Sequence, residues 1–582
     1  MPYYPTVNSI RTDTVSIETF RGLNRSSEIG EDEFADMKNM TGEQYPHLAP
    51  RRKRGVYASP LSAQGLIAKD ALCYIDGTDF VMNGYHTDLA LSTLSADCPK
   101  TLVGMGAYVI ILPDKKFINT QNLSDHGNIE AVFSTQGTVS FTLCRADGSV
   151  YNTPTVSAVA PASPANMDLW IDTAAEPHTL RQWSESSGVW VSIPTAYVRI
   201  ESSGIGAAFR AGDGVTLSGI TASGFTALNA AMTLTACGED YLVVPGVADA
   251  AAQQSGSVTV ERRMPNMDFV IENENRLWGC RYGVARSGEI VNEIYASKLG
   301  DFRNWNCFEG VATDSYAVSC GTDGAFTGAV SYLGNPLFFK ENCLHKVYGS
   351  FPAQYRVLTS ACRGVQKGCA RSLAIAGEVL YYKSRGGVCA YDGSLPREIG
   401  TALGPEPTAD AVGGAAAGKY YLSQRSGDGT WRLSVYDPRR GFWHEEDATH
   451  ALAFCECAGE LYYIDAADGK IRTVFGSGET ETDAVEWTAE TGDVTLRCAE
   501  HKYISRITVR IALQRGAKVR ILLRYDGTGA WQSVGTLRGA GLHSFSVPVP
   551  PRRCDHFRLR LEGIGEARLH AVRKTVEQGS DV

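Results

Sequence analysis

The chain lacks the features that would place it in a membrane or on a nucleic acid. Its 582 residues contain no run of about 18 apolar residues, which is the length that a membrane-spanning helix requires. The net charge is -9, whereas proteins that grip phosphates carry a clustered excess of Lys and Arg. The basic run RRKR at Arg51–Arg54 is a local exception, and we expect it to be a solvated loop.

Recognisable catalytic motifs are also missing. The sequence contains no HExxH, no CxxC pair, no GxSxG and no P-loop, and its 11 histidines are dispersed. The first residues, MPYYPTVNSIRTDTV, have no basic segment followed by an apolar run, so we predict no signal peptide. The 15 cysteines are an odd number in a long chain. We expect free, mostly buried thiols in a protein that folds in a cytoplasm.

What the chain does contain is a repeat. Short apolar segments begin at Gly334, Gly377, Gly418 and Gly459, which are 43, 41 and 41 residues apart. Similar segments begin at Gly65, Gly106 and Asn275. A period of about 40–50 residues with several short strands per unit is typical of a β-propeller blade. We therefore predict an all-β chain built on a β-propeller of six to eight blades.

The pattern divides the chain into five parts. These are an extended N-terminal arm (1–60), the first propeller blades (61–130), an inserted β-rich domain (131–265), the remaining blades (266–480) and a C-terminal β-sandwich or jelly roll (481–582). The arm contains too many apolar residues to be a free tail, so we expect it to lie along another surface, such as a neighbouring copy. In the C-terminal part, Arg506–Ile511 alternates apolar and polar residues, as a half-buried strand does.

Several groups could carry chemistry, but a structural role explains each better. Cys455 and Cys457 could offer two thiolates to a metal, but the pattern lacks a second ligand pair. Carboxylates could serve a glycosidase if they faced each other across a cleft. The pair Glu272 and Glu274 and the run Glu445–Asp447 are neighbours in sequence, which predicts no cleft. We expect both groups to form a charged, solvated edge.

Two further patterns are explained in the same way. The tryptophans of the insert could stack on sugars or form a small aromatic core, and we favour the core; they are Trp170, Trp183 and Trp190. Aspartates in Asp-Gly turns lack the carboxylate spacing of calcium loops; they are Asp76, Asp392 and Asp465. We therefore predict no catalytic, cofactor-binding or metal-binding residues, no cofactor and no enzymatic activity.

Three segments resemble proteins of phage tails. The arm RGLNRSSEIGEDEFADMKNMTGEQYPHLAPRRKRG is similar to N-terminal arms of phage and prophage proteins. The segment NRLWGCRYGVARSGEIVNEIYASKLGDFRNW is similar to podovirus tail stabilisation or nozzle β-propeller proteins, and so are LGNPLFFKENCLHKVYG and GVCAYDG. The resemblance implies a propeller-containing tail component present in about six copies around the tail axis. It offers no catalytic residues to transfer.

The function expected from the resemblance is structural. The chain would form a homohexameric ring around the DNA channel, as a nozzle, stabilisation or hub protein, and would assemble in the bacterial cytoplasm. Its partners would be its own copies, other neck or tail proteins such as adaptor, fibre or tip proteins, and DNA passing without sequence recognition. One alternative is a tail-tip protein that binds a receptor or a glycan, and another is a glycan-cleaving propeller enzyme. The insert and the C-terminal sandwich depart from the family and leave the position in the tail open.

Overall fold

The computed structural model describes residues 12–93, 100–284, 288–495 and 502–578. The first eleven residues of the expected arm, together with Cys98 and Cys498, lie outside these ranges. The prediction of an all-β fold is confirmed, because the helices among the described residues are four short 3-10 turns. These are Thr226–Leu228, Pro352–Gln354, Ala370–Ser372 and Thr401–Leu403. Within the same ranges, no helix has the length and apolar character needed to cross a membrane.

Seven small antiparallel sheets repeat along the described residues, and in the first six of them consecutive strands are neighbours. We number them as blades, and the prediction of six to eight blades is confirmed. Blade 1 consists of Ala63–Lys69, Ala71–Asp76, Asp79–Met82 and Tyr85–Asp88, and blade 2 of Thr101–Met105, Tyr108–Leu112, Lys116–Asn119 and Asn122–Asn128. Blade 3 consists of Phe269–Asn273, Arg276–Val284, Ile290–Ala296 and Tyr316–Ser319, and blade 4 of Gly328–Tyr332, Asn335–Lys340, Cys343–Tyr348 and Arg356–Ala361. Blade 5 consists of Ala374–Ala376, Val379–Ser384, Gly387–Tyr391 and Arg397–Glu398, and blade 6 of Thr408–Ala416, Lys419–Ser426, Trp431–Asp437 and Phe442–Glu445. Blade 7 consists of Ala451–Cys457, Glu460–Asp465 and Ile471–Thr473, joined by Gly55–Ala58 and Glu479–Thr480.

Most of the repeating glycines mark the first hairpin turn of a blade, although Gly65 lies within the first strand of blade 1. Ala417 and Gly418 have φ values of +50° and +73°, and Ala458 and Gly459 have +52° and +82°. Two consecutive residues with positive φ form the tight turn whose twist matches a two-stranded hairpin, and glycine adopts that conformation without a steric penalty. The period in the sequence is therefore the period of these turns.

The chain divides into two compact units. The first comprises residues 1–100, 339–344 and 360–582, and the second comprises residues 101–338 and 345–359. The first unit contains blades 1, 5, 6 and 7 together with the C-terminal strands, and the second contains blades 2 and 3 with the insert.

In the first unit, the segment expected to be an arm pairs with strands of its own chain. Thr12–Ile17 pairs with the last strand, Ala567–Gln578, and Phe34–Lys38 pairs with Glu486–Thr491. Gly55–Ala58 pairs with the third strand of blade 7. The described part of this segment therefore covers exposed strand edges within its own unit, and our expectation that it lies on a neighbouring copy is wrong. Its apolar side chains are buried there: Phe20, Leu23, Phe34 and Met37.

The C-terminal strands form a β-sandwich that includes these N-terminal strands. One sheet has the order Thr12–Ile17, Ala567–Gln578, Lys502–Leu513 and Gly541–Pro548. The other has the order Phe34–Lys38, Glu486–Thr491, Phe557–Ile564, Lys518–Tyr525 and Gln532–Arg538. A short pair, Met40–Thr41 with Ala49–Pro50, adjoins them. The predicted alternation is present, because Ile507, Val509 and Ile511 are buried on one face of their strand.

The insert in the second unit contains three sheets. The first has the order Ala131–Ser134, Thr259–Arg262, Gly214–Ser218 and Ala231–Thr233. The second has the order Ala236–Gly238, Tyr241–Pro245, Tyr197–Glu201, Val139–Cys144 and Ala252–Gln254. These two share one apolar core that contains Phe141, Phe225 and Val260. The third has the order Thr155–Ser157, Leu169–Asp172, Thr179–Ser184 and Val189–Ser192, and has its own small core around Ile171 and Leu180.

Candidate functional site

A cleft of about 870 Å³ opens in the first unit beside blades 5 and 6. Its walls are the hairpin turn of blade 5 at 384–387, the connection 400–408 that leads to blade 6, the end of the second strand of blade 6, and residues 25–27. We call it the Lys383 pocket. Its volume lies within the range of small-molecule sites, which is about 300–1,000 Å³.

Lys383 is the penultimate residue of the second strand of blade 5 and is only 3% exposed. Its ammonium group donates a hydrogen bond to Gln366 Oε1 at 2.9 Å and another to the carbonyl oxygen of Ser384. Both acceptors are neutral, and no carboxylate of the described residues lies within 4.0 Å of Nζ. Burial lowers the pKa of Lys383, because taking a cation out of water disfavours its charged form.

The side chain of Gln366 fixes the position of this ammonium group. Its Nε2 donates to the carbonyl oxygens of Thr408 and Ala409, at 3.2 and 3.0 Å, at the start of blade 6. Its Oε1 therefore faces Lys383, because the other end of the amide is held by main chain. Because Gln366 holds the Lys383 ammonium group in place, that group would lose little conformational entropy when its third N–H binds a ligand.

Polar side chains complete the walls. Gln424 and Ser426 are 6% and 7% exposed, and both line the pocket. The cationic lining residues are Arg25, Lys383, Arg385 and Arg432, and the anionic ones are Glu398 and Glu406. Arg25 and Arg432 are compensated by carboxylates just outside the lining, whereas Lys383 and Arg385 have no ion-pair partner among the described residues. These two unpaired cations, set among neutral hydrogen-bonding groups, are suited to an anionic ligand. Sequence reasoning missed the site, although a lysine in the otherwise apolar strand VLYYKS was a usable sign.

In the carboxylate run, Glu445 and Glu446 are buried and Asp447 is partly buried, so our expectation of a solvated edge there is wrong. Arg54, whose side chain is 3% exposed, donates to Glu446 Oε2 at 2.6 Å and to Asp447 Oδ2 at 2.9 Å. Arg25 donates to Glu445 Oε2 at 2.8 Å. Burial by itself raises the pKa of Glu446, but Arg54 and His444 together outweigh it and the pKa lies below its ordinary value.

The basic run RRKR is thus divided between two environments. Arg54 belongs to the buried network, and Arg51 Nε lies 3.0 Å from Asp447 Oδ2. Arg52 is 64% exposed and pairs with Glu43 at 3.3 Å. The prediction of a solvated loop is wrong for Arg51 and Arg54, because their partners lie almost 400 residues away in sequence.

The pair Glu272 and Glu274 belongs to the first hairpin turn of blade 3. Glu272 Oε1 accepts a hydrogen bond from the main-chain N–H of Asn275 at 2.8 Å, and Glu274 has a φ of +51°. A carboxylate that caps its own turn stabilises the hairpin. This pair therefore has a local structural role at the turn.

The aspartates of the Asp-Gly turns also bind nearby main-chain N–H groups. Asp392 Oδ1 accepts from the N–H of Ser394 at 3.1 Å, and Asp465 Oδ1 accepts from the N–H of Ala467 at 3.0 Å. Asp76 Oδ1 accepts from a neighbouring loop N–H at 2.8 Å. These contacts are the turn chemistry expected from the sequence.

Cys455 and Cys457 lie on the first strand of blade 7 and pack in an apolar cluster beside blade 1. Burial raises the pKa of Cys455 to about 12, and it raises the pKa of Cys73 to about 12 as well. Both thiols are therefore protonated at neutral pH. No group of three or more His, Cys, Asp or Glu side chains within the described ranges could hold a metal ion.

The three tryptophans of the insert form a row on the third insert sheet. The ring centroids of Trp170 and Trp190 lie 5.5 Å apart, as do those of Trp183 and Trp190, and both pairs are edge to face. Trp170 is buried, and its Nε1 donates to the carbonyl oxygen of Ser157 at 2.9 Å. Trp183 and Trp190 are partly exposed. A core role therefore fits Trp170, while the other two rings also reach the surface.

No protein-family model matches the chain, and no curated protein matches it. Among solved structures, it is similar to an exo-β-1,3-galactanase from Phanerochaete chrysosporium, with 10% identity, 52% of this chain and 94% of that chain covered, and a TM-score of 0.21. A glycoside hydrolase family 43 arabinoxylan arabinofuranohydrolase from Bacillus subtilis matches with 9% identity, the same coverage and a TM-score of 0.19. A Trypanosoma rangeli sialidase in complex with sialic acid matches with 8% identity over 97% of this chain and 95% of that chain, at a TM-score of 0.25.

These similarities contradict the prediction that the chain has no enzymatic activity. That prediction took a propeller repeat as a sign of a scaffold, yet the matching structures are glycoside hydrolases and a sialidase. A blade repeat is therefore no ground for excluding catalysis. At such low identities and TM-scores, the similarities assign no activity, substrate or site residue to this chain.

Proposed function

We propose that the chain is a structural protein of a bacteriophage tail, which forms a homohexameric ring around the DNA channel through contacts between its copies. The observation that carries the proposal is the position of the segments that resemble phage tail proteins. Within each unit, residues of these segments connect strands and loops to one another. A protein in which the segments that carry the resemblance maintain a scaffold is suited to assembly.

The N-terminal segment is the first example. It contributes the strand Gly55–Ala58 to blade 7, and Arg54, the residue just before that strand, is locked by Glu446 and Asp447. Arg54 Nη1 also donates to the carbonyl oxygen of Val474 at 3.0 Å. These contacts fasten residues 54–58 to blade 7 and to the residues just before it, which lie 392 to 420 residues later in the sequence for the partners of Arg54.

The segment NRLW…GDFRNW is the second example. The Arg276 guanidinium is buried and donates to the carbonyl oxygens of Ser297 and Ala312, both at 2.8 Å. Asn304 Oδ1 accepts from the N–H of Gly214 at 2.9 Å, and its Nδ2 donates to Asp213 Oδ1 at 3.1 Å. The segment thus binds the loop between the third and fourth strands of blade 3 to the insert.

Under this proposal, the protein acts through subunit interfaces in the virion tail, after assembly in the host cytoplasm. Its partners are further copies of itself and other neck or tail proteins, such as an adaptor, fibre or tip protein. DNA passes through the ring without sequence recognition. A closed ring requires head-to-tail contacts between two different surfaces of each copy.

The proposal is tested with the purified full chain and with phage particles. Mass photometry and negative-stain electron microscopy are expected to reveal closed rings of about six copies. Mass spectrometry of purified particles is expected to detect the chain. A protein that stays monomeric at all accessible concentrations and is missing from particles would refute the proposal.

A glycan-binding tail-tip protein is the second candidate, and the partly exposed pair Trp183 and Trp190 favours it. Edge-to-face rings that reach the surface offer flat apolar faces on which sugars stack. Binding of the full chain to host cell-wall fractions is expected to fall when Trp183 is replaced by Ala. Trp487→Ala in the sandwich core is unsuitable as a control because Trp487 is buried. The exposed Tyr85→Ala variant is the matched control.

A further inference from the structure

The Lys383 pocket holds a buried cation that has no counter-charge in hydrogen-bonding distance. Lysine is almost never fully buried unless it is paired, because an unpaired buried charge costs free energy. Glu398 lines the same pocket, but it pairs with Arg363 at the surface. An anion bound in the pocket would supply the charge that the described residues do not.

Two further polar side chains line the pocket. The residues Gln424 and Ser426 are 6% and 7% exposed. Within the described ranges, neither side chain makes a hydrogen bond to another residue, so both can bond to a ligand in the pocket. These two sit on one strand, two residues apart, so they face the same side of blade 6.

The rim of the pocket has three arginine side chains, of which two are held by carboxylates and one is not. Arg25 is held by Glu445 and Asp36, each at 2.8 Å, and Arg432 lies 3.7 Å from Glu445. Arg385 lies on the exposed hairpin turn of blade 5 and has no ion-pair partner in the part of the chain that the structure describes. The pocket therefore combines a fixed cation at depth with a free cation at its mouth.

We propose that the Lys383 pocket binds an organic anion whose carboxylate or phosphate is attached to a hydroxylated skeleton, such as a uronic acid or a polyol phosphate. Lys383 meets the anionic group through its remaining N–H, since charge-assisted hydrogen bonds are the strong ones. Gln424 and Ser426 hydrogen-bond to hydroxyl groups, and Arg385 closes over the anion from the mouth. The proposal does not depend on the tail function proposed above.

The experiment measures binding to the full chain by isothermal titration calorimetry and thermal shift. The probes are glucuronate, glycerol 3-phosphate, inorganic phosphate and glucose. We expect saturable binding of glucuronate or glycerol 3-phosphate at one site per chain, and none of glucose. Lys383→Met is expected to weaken binding by roughly tenfold or more. Lys367→Met, on an exposed lysine of the preceding loop, is the matched control and is expected to bind like the unmodified protein.

The choice of probes distinguishes the two kinds of anion. Binding of glucuronate alone identifies a carboxylate ligand, and binding of glycerol 3-phosphate alone identifies a phosphate ligand. If inorganic phosphate binds as tightly as both organic anions, the pocket holds an adventitious ion only, and the proposal is overturned. Failure of both organic anions to bind, or equal binding by the Lys383→Met variant, would also overturn it. If Lys383→Met does not fold, Gln424→Ala and Ser426→Ala make the same comparison at the other wall.

Discussion

The buried ion-pair network around Arg54 gives the sharpest stability prediction, with Arg54→Ala as the perturbation. The substitution removes hydrogen bonds to Glu446 at 2.6 Å, to Asp447 at 2.9 and 3.1 Å, and to the carbonyl oxygen of Val474 at 3.0 Å. It leaves two buried carboxylates without this cation. Removing one partner of a buried pair typically costs about 3–5 kcal/mol, so we expect the free energy of unfolding to fall by about that amount.

Chemical denaturation at neutral pH, followed by circular dichroism, measures this loss in the full chain. The matched control is Arg52→Ala, since Arg52 is 64% exposed and its pair with Glu43 is at the surface. An exposed pair contributes about 0–1 kcal/mol. Equal effects of the two substitutions would refute the account of the network, because Arg54 is buried and bonds to three residues, whereas Arg52 is exposed and pairs with one.

The pH dependence gives an independent check. In the folded protein the pKa values of Glu446 and Asp447 lie below their ordinary values, with Arg54 opposing the effect of burial. A carboxyl whose pKa is lowered on folding stabilises the protein above its unfolded pKa, which is about 4. That stabilisation is lost as the pH falls through the folded pKa. The difference between Arg54→Ala and the unmodified protein is therefore expected to shrink below about pH 5, and a constant difference would contradict this sign.

Three further predictions follow from the geometry. Arg276→Gln is expected to lower the free energy of unfolding by about 3 kcal/mol in chemical denaturation, since buried carbonyl oxygens lose their donors. Cys73 and Cys455 are expected to resist a thiol-specific reagent at pH 8 in the folded protein and to react fully in denaturant, because burial raises both pKa values to about 12; fast labelling of either in the folded state would be inconsistent with this. Trp190→Ala is expected to abolish the coupled tryptophan signal in circular dichroism, because Trp190 is the ring that contacts both Trp170 and Trp183; a retained signal would contradict the row arrangement.

The sequence predicted the features that depend on local geometry. The glycines at 418 and 459 recur because each first hairpin needs a residue with positive φ, so their spacing revealed the blades. The alternation in Arg506–Ile511 predicted a strand with one buried face, and Ile507 and Ile511 are buried there. Such patterns are readable because they involve residues within one turn or one strand.

The features that the sequence did not predict depend on distant partners. Glu446 looked like a solvated charge, yet its cation is Arg54, 392 residues earlier. The Lys383 pocket brings together residues 25, 383 and 424 from three separate segments. The residues next to each of these positions in the sequence do not predict which distant residue it contacts. The strands Thr12–Ile17, Phe34–Lys38 and Gly55–Ala58 were likewise taken for an arm because their pairing partners all lie beyond residue 470.

The central claim is that this chain assembles with itself into a ring, and electron microscopy of the purified full chain tests it most directly. Class averages are expected to reveal closed rings of about six copies around a central opening, and the same rings are expected in the tails of phage particles. Monomers under all conditions, together with absence of the chain from particles, would contradict the claim.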